Sequence, residues 1–240
     1  MSGKALTYLI TGSSRGIGLE FVRQLAGSGH KVFASARQPE QSESLKSLIN
    51  NENVFGVPLD VTDSKSIEEA VFQVSKDAPE GIDVLINNAG IGGQGSRTVF
   101  ETPEEDFLNK FKTNTLGAAN VTNAFLPLLR QAETRKIMNM STVLASIQSR
   151  GPDSKIKSAV AFSVSKTALN MLTRLTASQL AAEDFIVYAS HPGWVKTDFG
   201  GINATMSPER SVKAQLEVLK NLKLEDNGKF LDFRGKEIPW

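Results

Sequence analysis

Short apolar runs rich in β-branched residues alternate along the chain with longer segments whose apolar positions recur every three to four residues. The runs predict strands over 6–10, 31–35, 54–58, 84–87, 136–140 and 186–190, with a late one over 229–232. The longer segments predict helices, among them 18–26, 66–76, a stretch over 104–129 broken or bent within, and 164–182. A β-α-β-α rhythm implies a mostly parallel sheet with helices on both faces. Strands that are apolar almost throughout agree, because both faces of such a sheet are covered. The expectation is an α/β fold, a doubly wound parallel sheet forming one domain over residues 1–240. Two segments break the rhythm, 146–159 and 198–208. They read either as walls of a ligand crevice at the carboxyl ends of the strands or as plain surface loops.

Composition narrows the functions available. With 40% hydrophobic and 22% charged residues the chain can bury a core and is not disordered. A net charge of +1, with Lys and Arg scattered, gives no general field for nucleic acid. Arg150, Lys155 and Lys157 form one basic cluster, read as a solvated loop or as a contact for an anionic partner. The absence of cysteine excludes disulfides, zinc-thiolate sites and thiol catalysis, and no metal site is expected. No apolar run approaches the roughly 18 residues that span a bilayer, and the start lacks a secretory leader. A cytoplasmic protein without a membrane partner is expected.

The chemistry begins after the first strand. Thr11-Gly12-Ser13-Ser14-Arg15-Gly16-Ile17-Gly18 opens a helix. Gly12 permits a tight turn, Gly16 lets the backbone approach a phosphate, Gly18 lets helix and strand pack closely, and the helix amino terminus faces the negative charge. Strand, loop and helix in this order predict dinucleotide binding and a Rossmann-type sheet. A site specific for NAD places an acidic residue at the end of the second strand. Here Ala36 stands there, followed by Arg37, and Arg15 sits in the glycine loop. Two guanidinium groups and no carboxylate suit the 2′-phosphate of NADP, unless both are ordinary surface arginines.

The spacing Gly-x-x-x-Gly-x-Gly resembles that of the short-chain dehydrogenases/reductases, and the resemblance runs nearly end to end. Asp60-Val61 matches the family's adenine contact, and Asn87-Asn88-Ala89-Gly90 its structural and cofactor-contacting turn. Asn114 matches its active-site asparagine, while Pro192-Gly193, Val195 and Thr197 match the segment that holds the nicotinamide end. Three stretches resemble the C-factor and sniffer type of carbonyl reductase: Ala168 to Leu172, His191 to Asp198, and Gly228 to Trp240. The resemblance implies a small carbonyl substrate, and Leu144, Ile147, Trp194 and Phe199 suggest a hydrophobic one. It also implies pairing into a homodimer or homotetramer through helices over 118–129 and 164–182.

One residue breaks the pattern. Phe162-Ser163-Val164-Ser165-Lys166 resembles the family's Tyr-x-x-x-Lys, whose phenol donates a proton to the carbonyl being reduced. Lys166 keeps the role of binding the nicotinamide ribose, but Phe162 cannot donate a proton. The family's carbonyl-polarising serine aligns with Thr142, and a shift of one residue would make it Ser141. Tyr8 and Tyr188, the only tyrosines, lie inside predicted core strands; His191 is the remaining candidate acid near the nicotinamide end. Phe162 reads either as a deliberate replacement of Tyr or as natural divergence, and Thr142 is a second departure. Three functions follow: an NADPH-dependent ketone or aldehyde reductase, a non-redox isomerase or cyclase that binds NADP(H) structurally, or an NADPH-binding regulatory protein.

Overall fold

A computed structural model describes residues 4–92, 97–151 and 159–240. Seven parallel strands form one sheet: β1 (Thr7–Thr11), β2 (Lys31–Ala36), β3 (Val54–Pro58), β4 (Val84–Asn87), β5 (Lys136–Met140), β6 (Ile186–His191) and β7 (Phe230–Asp232). Their spatial order is β3-β2-β1-β4-β5-β6-β7, so the chain reverses direction across the sheet between β1 and β4. The carboxyl ends of β1 and β4 therefore flank the crevice that such a reversal creates.

Among the described residues seven α-helices cover the sheet: α1 (Gly16–Gly27), α2 (Glu43–Lys46), α3 (Ser64–Asp77), α4 (Glu104–Phe111), α5 (Gly117–Gln131), α6 (Val160–Gln179) and α7 (Pro208–Asn221). The strand residues alternate between two cores. Tyr8, Ile10, Val84, Ile86, Met138 and Tyr188 face Phe21 and Val22 of α1 and Val212 and Leu219 of α7. Leu9, Phe33, Leu85, Ile137 and Val187 face Ile67 and Val74 of α3, Val121 and Phe125 of α5, and Ala177 of α6.

The predicted strands are all present, with the first shifted by one residue. Helix α1 starts at Gly16 rather than residue 18. Glycine is a poor helix former, but Gly16, at φ +58°, lets bare backbone face the crevice and Gly18 packs against the Gly12 carbonyl, so both stand in the first turn of the helix. Asp63 caps α3 two residues earlier than expected, its carboxylate accepting from Lys65 N–H at 2.9 Å. The break within 104–129 is a widened π turn, Lys112–Leu116. Helix α6 begins four residues before its predicted start, which puts Phe162 inside it, and stops at Gln179. Helix α7 was not among the predicted elements. Its signal was present: Ser207 caps it, accepting from Arg210 N–H at 3.3 Å, and Pro208 takes the first turn.

Candidate active site

The glycine loop and the turn after β4 are tied together. Thr11 Oγ1 accepts from the N–H groups of Asn88 (3.0 Å) and Ala89 (2.9 Å), and Asn88 Nδ2 donates to the carbonyls of Thr11 (2.9 Å) and Gly12 (3.1 Å). Asn88 thus uses its side chain to hold the loop. A Cβ on Gly12 would lie 2.8 Å from Ala89 Cα, and one on Gly18 would strike the Gly12 carbonyl and lie 2.6 Å from Asn88 Nδ2. Gly12 and Gly16 both have positive φ, +71° and +58°. Helix α1 carries no side-chain cap and no acidic residue in its first turn, so its amino terminus is open to an anion. The Ser14 carbonyl is anchored from β2's side by the Ser42 hydroxyl at 2.7 Å, and Ile17 packs partly buried on the α1/α7 core.

Farther along the crevice, Arg37 is exposed just beyond β2. Partial burial raises the Asp60 carboxyl, but hydrogen bonds from the Thr62 N–H (2.8 Å) and hydroxyl (2.7 Å), with the charges of Arg37 and Lys112, outweigh it and hold the group below its ordinary value. Val61 is buried against Gly117, where a Cβ would come within 2.7 Å of Val61 Cγ2.

The π turn carries Asn114 inward. Asn114 Oδ1 accepts from Ile91 N–H (2.8 Å), while Nδ2 donates to the Ile91 carbonyl (2.9 Å) and to Ser165 Oγ (2.9 Å). Ser165 Oγ in turn donates to the Phe162 carbonyl (2.8 Å), locking the start of α6 against the π turn. Lys166 is buried and donates from Nζ to the Met140 carbonyl at 2.7 Å. Burial pushes its pKa down from 10.5 to about 8. Gly90 is the meeting point: a Cβ there would lie 3.1 Å from Asn114 Oδ1 and 3.5 Å from Lys166 Nζ. Phe162, one helical turn before Lys166, is buried and packs edge-to-face on Phe199, ring centroids 5.3 Å apart.

Ser141 and Thr142 have different surroundings. Ser141 Oγ is buried and donates to Asn170 Oδ1 at 2.6 Å. Thr142 is half-buried; its Oγ1 accepts from Leu144 N–H at 3.3 Å and, among the described residues, donates to none. His191 is pushed down to about 4 by burial, against the weaker upward pull of Asp232, and is neutral near pH 7. Tyr8 and Tyr188 are buried in β1 and β6, away from the crevice. Burial first and Asp83 second raise the Tyr8 phenol to about 12.

The segment after β6 forms a strap across the crevice. Ser211 of α7 donates to the Pro192 carbonyl at 2.6 Å, Gly193 turns at φ +84°, and Val195 bridges to Met206. Trp194 Nε1 donates to the Gly200 carbonyl (2.7 Å), and Thr197 Oγ1 accepts from Gly200 N–H (3.1 Å). The Thr197 methyl stands 3.3 Å from where a Gly16 Cβ would be, and Phe199's ring lies 2.8 Å from the corresponding point on Gly92. On the other wall, Leu144 is half-buried and Ile147 exposed, and Arg150 bonds the Leu144 carbonyl (3.2 Å) and Ser163 Oγ (2.6 Å). Lys155 and Lys157, with the rest of 152–158 in the wall over 146–159, lie outside the described residues.

The crevice thus brings together the glycine loop, the turn at Gly90, Asn114, Thr142, Phe162, Lys166 and the strap. Sequence reasoning did not find the partners that fix them: Met140 carbonyl for Lys166, Ser165 for Asn114, Asn170 for Ser141, and Asp198, which pairs with Arg15 at 3.6 Å. None carries a local signal, because each contact joins elements distant in sequence.

Comparison with known proteins identifies the family. The short chain dehydrogenase family profile matches residues 7–206. An uncharacterised oxidoreductase of Schizosaccharomyces pombe is 38% identical over 252 residues, covering 97% of each chain. The C-signal protein of Myxococcus xanthus is 38% identical over 159 residues, covering 66% of this chain and 93% of its own. Among solved structures, an NADPH-bound carbonyl reductase from chicken fatty liver superposes with a TM-score of 0.90 at 34% identity, covering 99% of this chain and 100% of that one. The carbonyl reductase Sniffer of D. melanogaster gives 0.91 at 29% identity, with 98% and 100% covered.

Proposed function

The chain belongs to the short-chain dehydrogenase family, and from that premise we infer that it is an NADPH-dependent carbonyl reductase scaffold whose proton donor is replaced by Phe162. The whole of residues 1–240 acts as one nucleotide-binding unit. The open amino terminus of α1, the positive-φ glycines and the missing carboxylate at Ala36 fit a 2′-phosphorylated dinucleotide. The NADPH-bound state of the chicken enzyme supports the same cofactor.

The observation that carries this reading is the convergence of Asn114 Oδ1 and Lys166 Nζ at Gly90, with Phe162 one helical turn before Lys166. NADPH, when bound, supplies the hydride to the carbonyl carbon. Thr142 offers its hydroxyl to the carbonyl oxygen; Ser141 is engaged by Asn170. Lys166 has two further N–H donors beyond the one on Met140, and bonds the nicotinamide ribose with them. With a pKa of about 8, Lys166 can also release a proton near neutral pH. In this chain the proton for the alkoxide comes from water relayed through Lys166 and Asn114. A positioned phenol at 162 would deliver it directly, which is worth about 10²–10⁴-fold in rate.

The mouth of the crevice exposes Trp194, Phe199, Ile202 and Ile147, which supports a hydrophobic ketone or aldehyde as substrate. Val164, Met171 and Leu175 form an exposed apolar stripe on α6, the face through which we expect two copies to pair. The corresponding residues of α5, Val121, Phe125 and Leu128, are buried against α3 within the chain itself. The reductase reading expects a cytoplasmic location.

The test is NADPH consumption by this chain and by Phe162→Tyr over a panel of ketones, diketones and quinones. The expected result is slow turnover that rises by two orders of magnitude or more, about the worth of a positioned acid. Failure of the tyrosine variant to reduce any member of the panel would sink the reductase reading. The non-redox alternative draws support from the apolar Phe162–Phe199 contact, which lines the site with rings rather than with an acid. It requires product formation without net NADPH oxidation, so mass-balanced product analysis separates the two.

A further inference from the structure

Arg15 stands at the point where the glycine loop meets the strap. Its guanidinium is 79% exposed and lies 3.6 Å from the Asp198 carboxylate, itself 80% exposed. The pair belongs to a continuous line of contact between loop and strap. Thr197 packs on Gly16 next to Arg15, and Phe199, next to Asp198, packs on both Gly92 and Phe162. Asp198 thus faces a cation of the nucleotide cradle and stands next in sequence to a ring that packs on Phe162.

We propose that Asp198 is a positioning residue that competes with the cofactor's 2′-phosphate for Arg15 and so tunes selectivity between phosphorylated and unphosphorylated nucleotides. This rests on the reading that the crevice takes NADP(H). The guanidinium is planar and rigid, so turning its donors toward a phosphate on the adenosine side draws them away from the Asp198 carboxylate, and each anion weakens the other's hold on it. In the free protein the fork is turned toward the strap. A 2′-phosphate draws it toward the adenosine end, and the 3.6 Å contact with Asp198 is given up. A nucleotide without the 2′-phosphate makes no claim on Arg15 and leaves the pair intact. Both partners are exposed and 3.6 Å apart, so the competition is modest and belongs to the range of surface ion pairs.

Half-cofactors test this without a nicotinamide end to touch the strap. Titration calorimetry would measure 2′,5′-ADP and 5′-AMP against the full chain and its Asp198→Asn, Arg15→Gln and double variants. Asp198→Asn is expected to tighten 2′,5′-ADP by about two- to five-fold, the range of an exposed ion pair, and to leave 5′-AMP unchanged. In the Arg15→Gln background the same substitution should have no effect, because the contested group is gone. An equal gain with and without Arg15 would mean a general loss of negative field and would overturn the competition. So would equal gains for both nucleotides, or no gain while the parent chain still prefers 2′,5′-ADP. A parent chain that binds 5′-AMP as tightly as 2′,5′-ADP would instead overturn the NADP reading on which the competition depends. Circular dichroism of each variant at 25 °C establishes that it is folded before binding is compared.

Discussion

Ser141 and Thr142 are adjacent hydroxyls, and the structure predicts opposite consequences for removing each. Ser141 Oγ is buried and donates to Asn170 Oδ1 at 2.6 Å, a contact between the end of β5 and the middle of α6. Ser141→Ala deletes the donor and leaves a buried amide oxygen without it, a loss of about 1–3 kcal/mol. For a chain of this size each kcal/mol shifts the melting temperature by roughly 2–4 °C, so the midpoint should fall by about 2–12 °C. Turnover per folded molecule should change little. Thr142→Val keeps the shape and branching of the side chain while removing a hydroxyl whose proton is directed at no described acceptor. Its melting temperature should move by less than about 1 kcal/mol's worth, while kcat falls by roughly 10²–10³-fold, the worth of one oxyanion donor. Thr142→Ser should retain activity. The assays are steady-state NADPH oxidation in the Phe162→Tyr background, where turnover is high enough to lose, and thermal unfolding followed by circular dichroism. If Ser141→Ala abolishes turnover at an unchanged melting temperature while Thr142→Val turns over normally, the polarising group is Ser141 and the reasoning from its buried bond is wrong.

Further outcomes follow from the same geometry. Lys166 titrates near pH 8 when folded and near 10.5 when unfolded, so the unfolded chain binds the extra proton between those values and stability rises with pH across that window. Relative to Lys166→Met, the parent should gain on the order of a few kcal/mol from pH 8 to 10.5 and show no such difference in slope below pH 8; urea unfolding at a series of pH values checks it. Gly18→Ala puts a methyl group against the Gly12 carbonyl and Asn88 Nδ2, and should abolish NADPH binding or folding; nucleotide fluorescence and circular dichroism distinguish the two. Gly92→Ala places its Cβ 2.8 Å from two atoms of the Phe199 ring, and should change KM across the substrate panel while leaving NADPH affinity within about two-fold of the parent, the ordinary range for a substitution away from the nucleotide. Met171→Asp with Leu175→Asp should convert a dimer or tetramer to a smaller species in size exclusion with light scattering; an unchanged mass would place the contact elsewhere.

Features that depend on neighbours along the chain could be read from residue order alone. Alternating apolar runs gave the strands, because a residue pair facing opposite sides of a sheet is a local property. The glycine spacing gave the nucleotide loop, because the turn from β1 into α1 is made by consecutive residues. Phe162 and Lys166 share a helical face at four residues' spacing, and the resemblance to the family's Tyr-x-x-x-Lys marks position 162 as the one that lacks a phenol. Helix α7 was legible too, in the Ser207-Pro208 start and the apolar Val212 and Leu219, but its position just after an irregular stretch hid it.

Groups whose local signals are the same are told apart by contacts across the fold. Ser141 and Thr142 are both hydroxyls at a strand end; what separates them is Asn170, which arrives from α6. His191 has the right residue type near the nicotinamide end, but burial beside β7 holds it neutral. Arg15 has the charge for a phosphate, and the partner it holds, Asp198, lies on the far side of the crevice in sequence. Desolvation and hydrogen bonding are set by everything that surrounds an atom, and the partners of Ser141 and Arg15 come from elements 29 and 183 residues away.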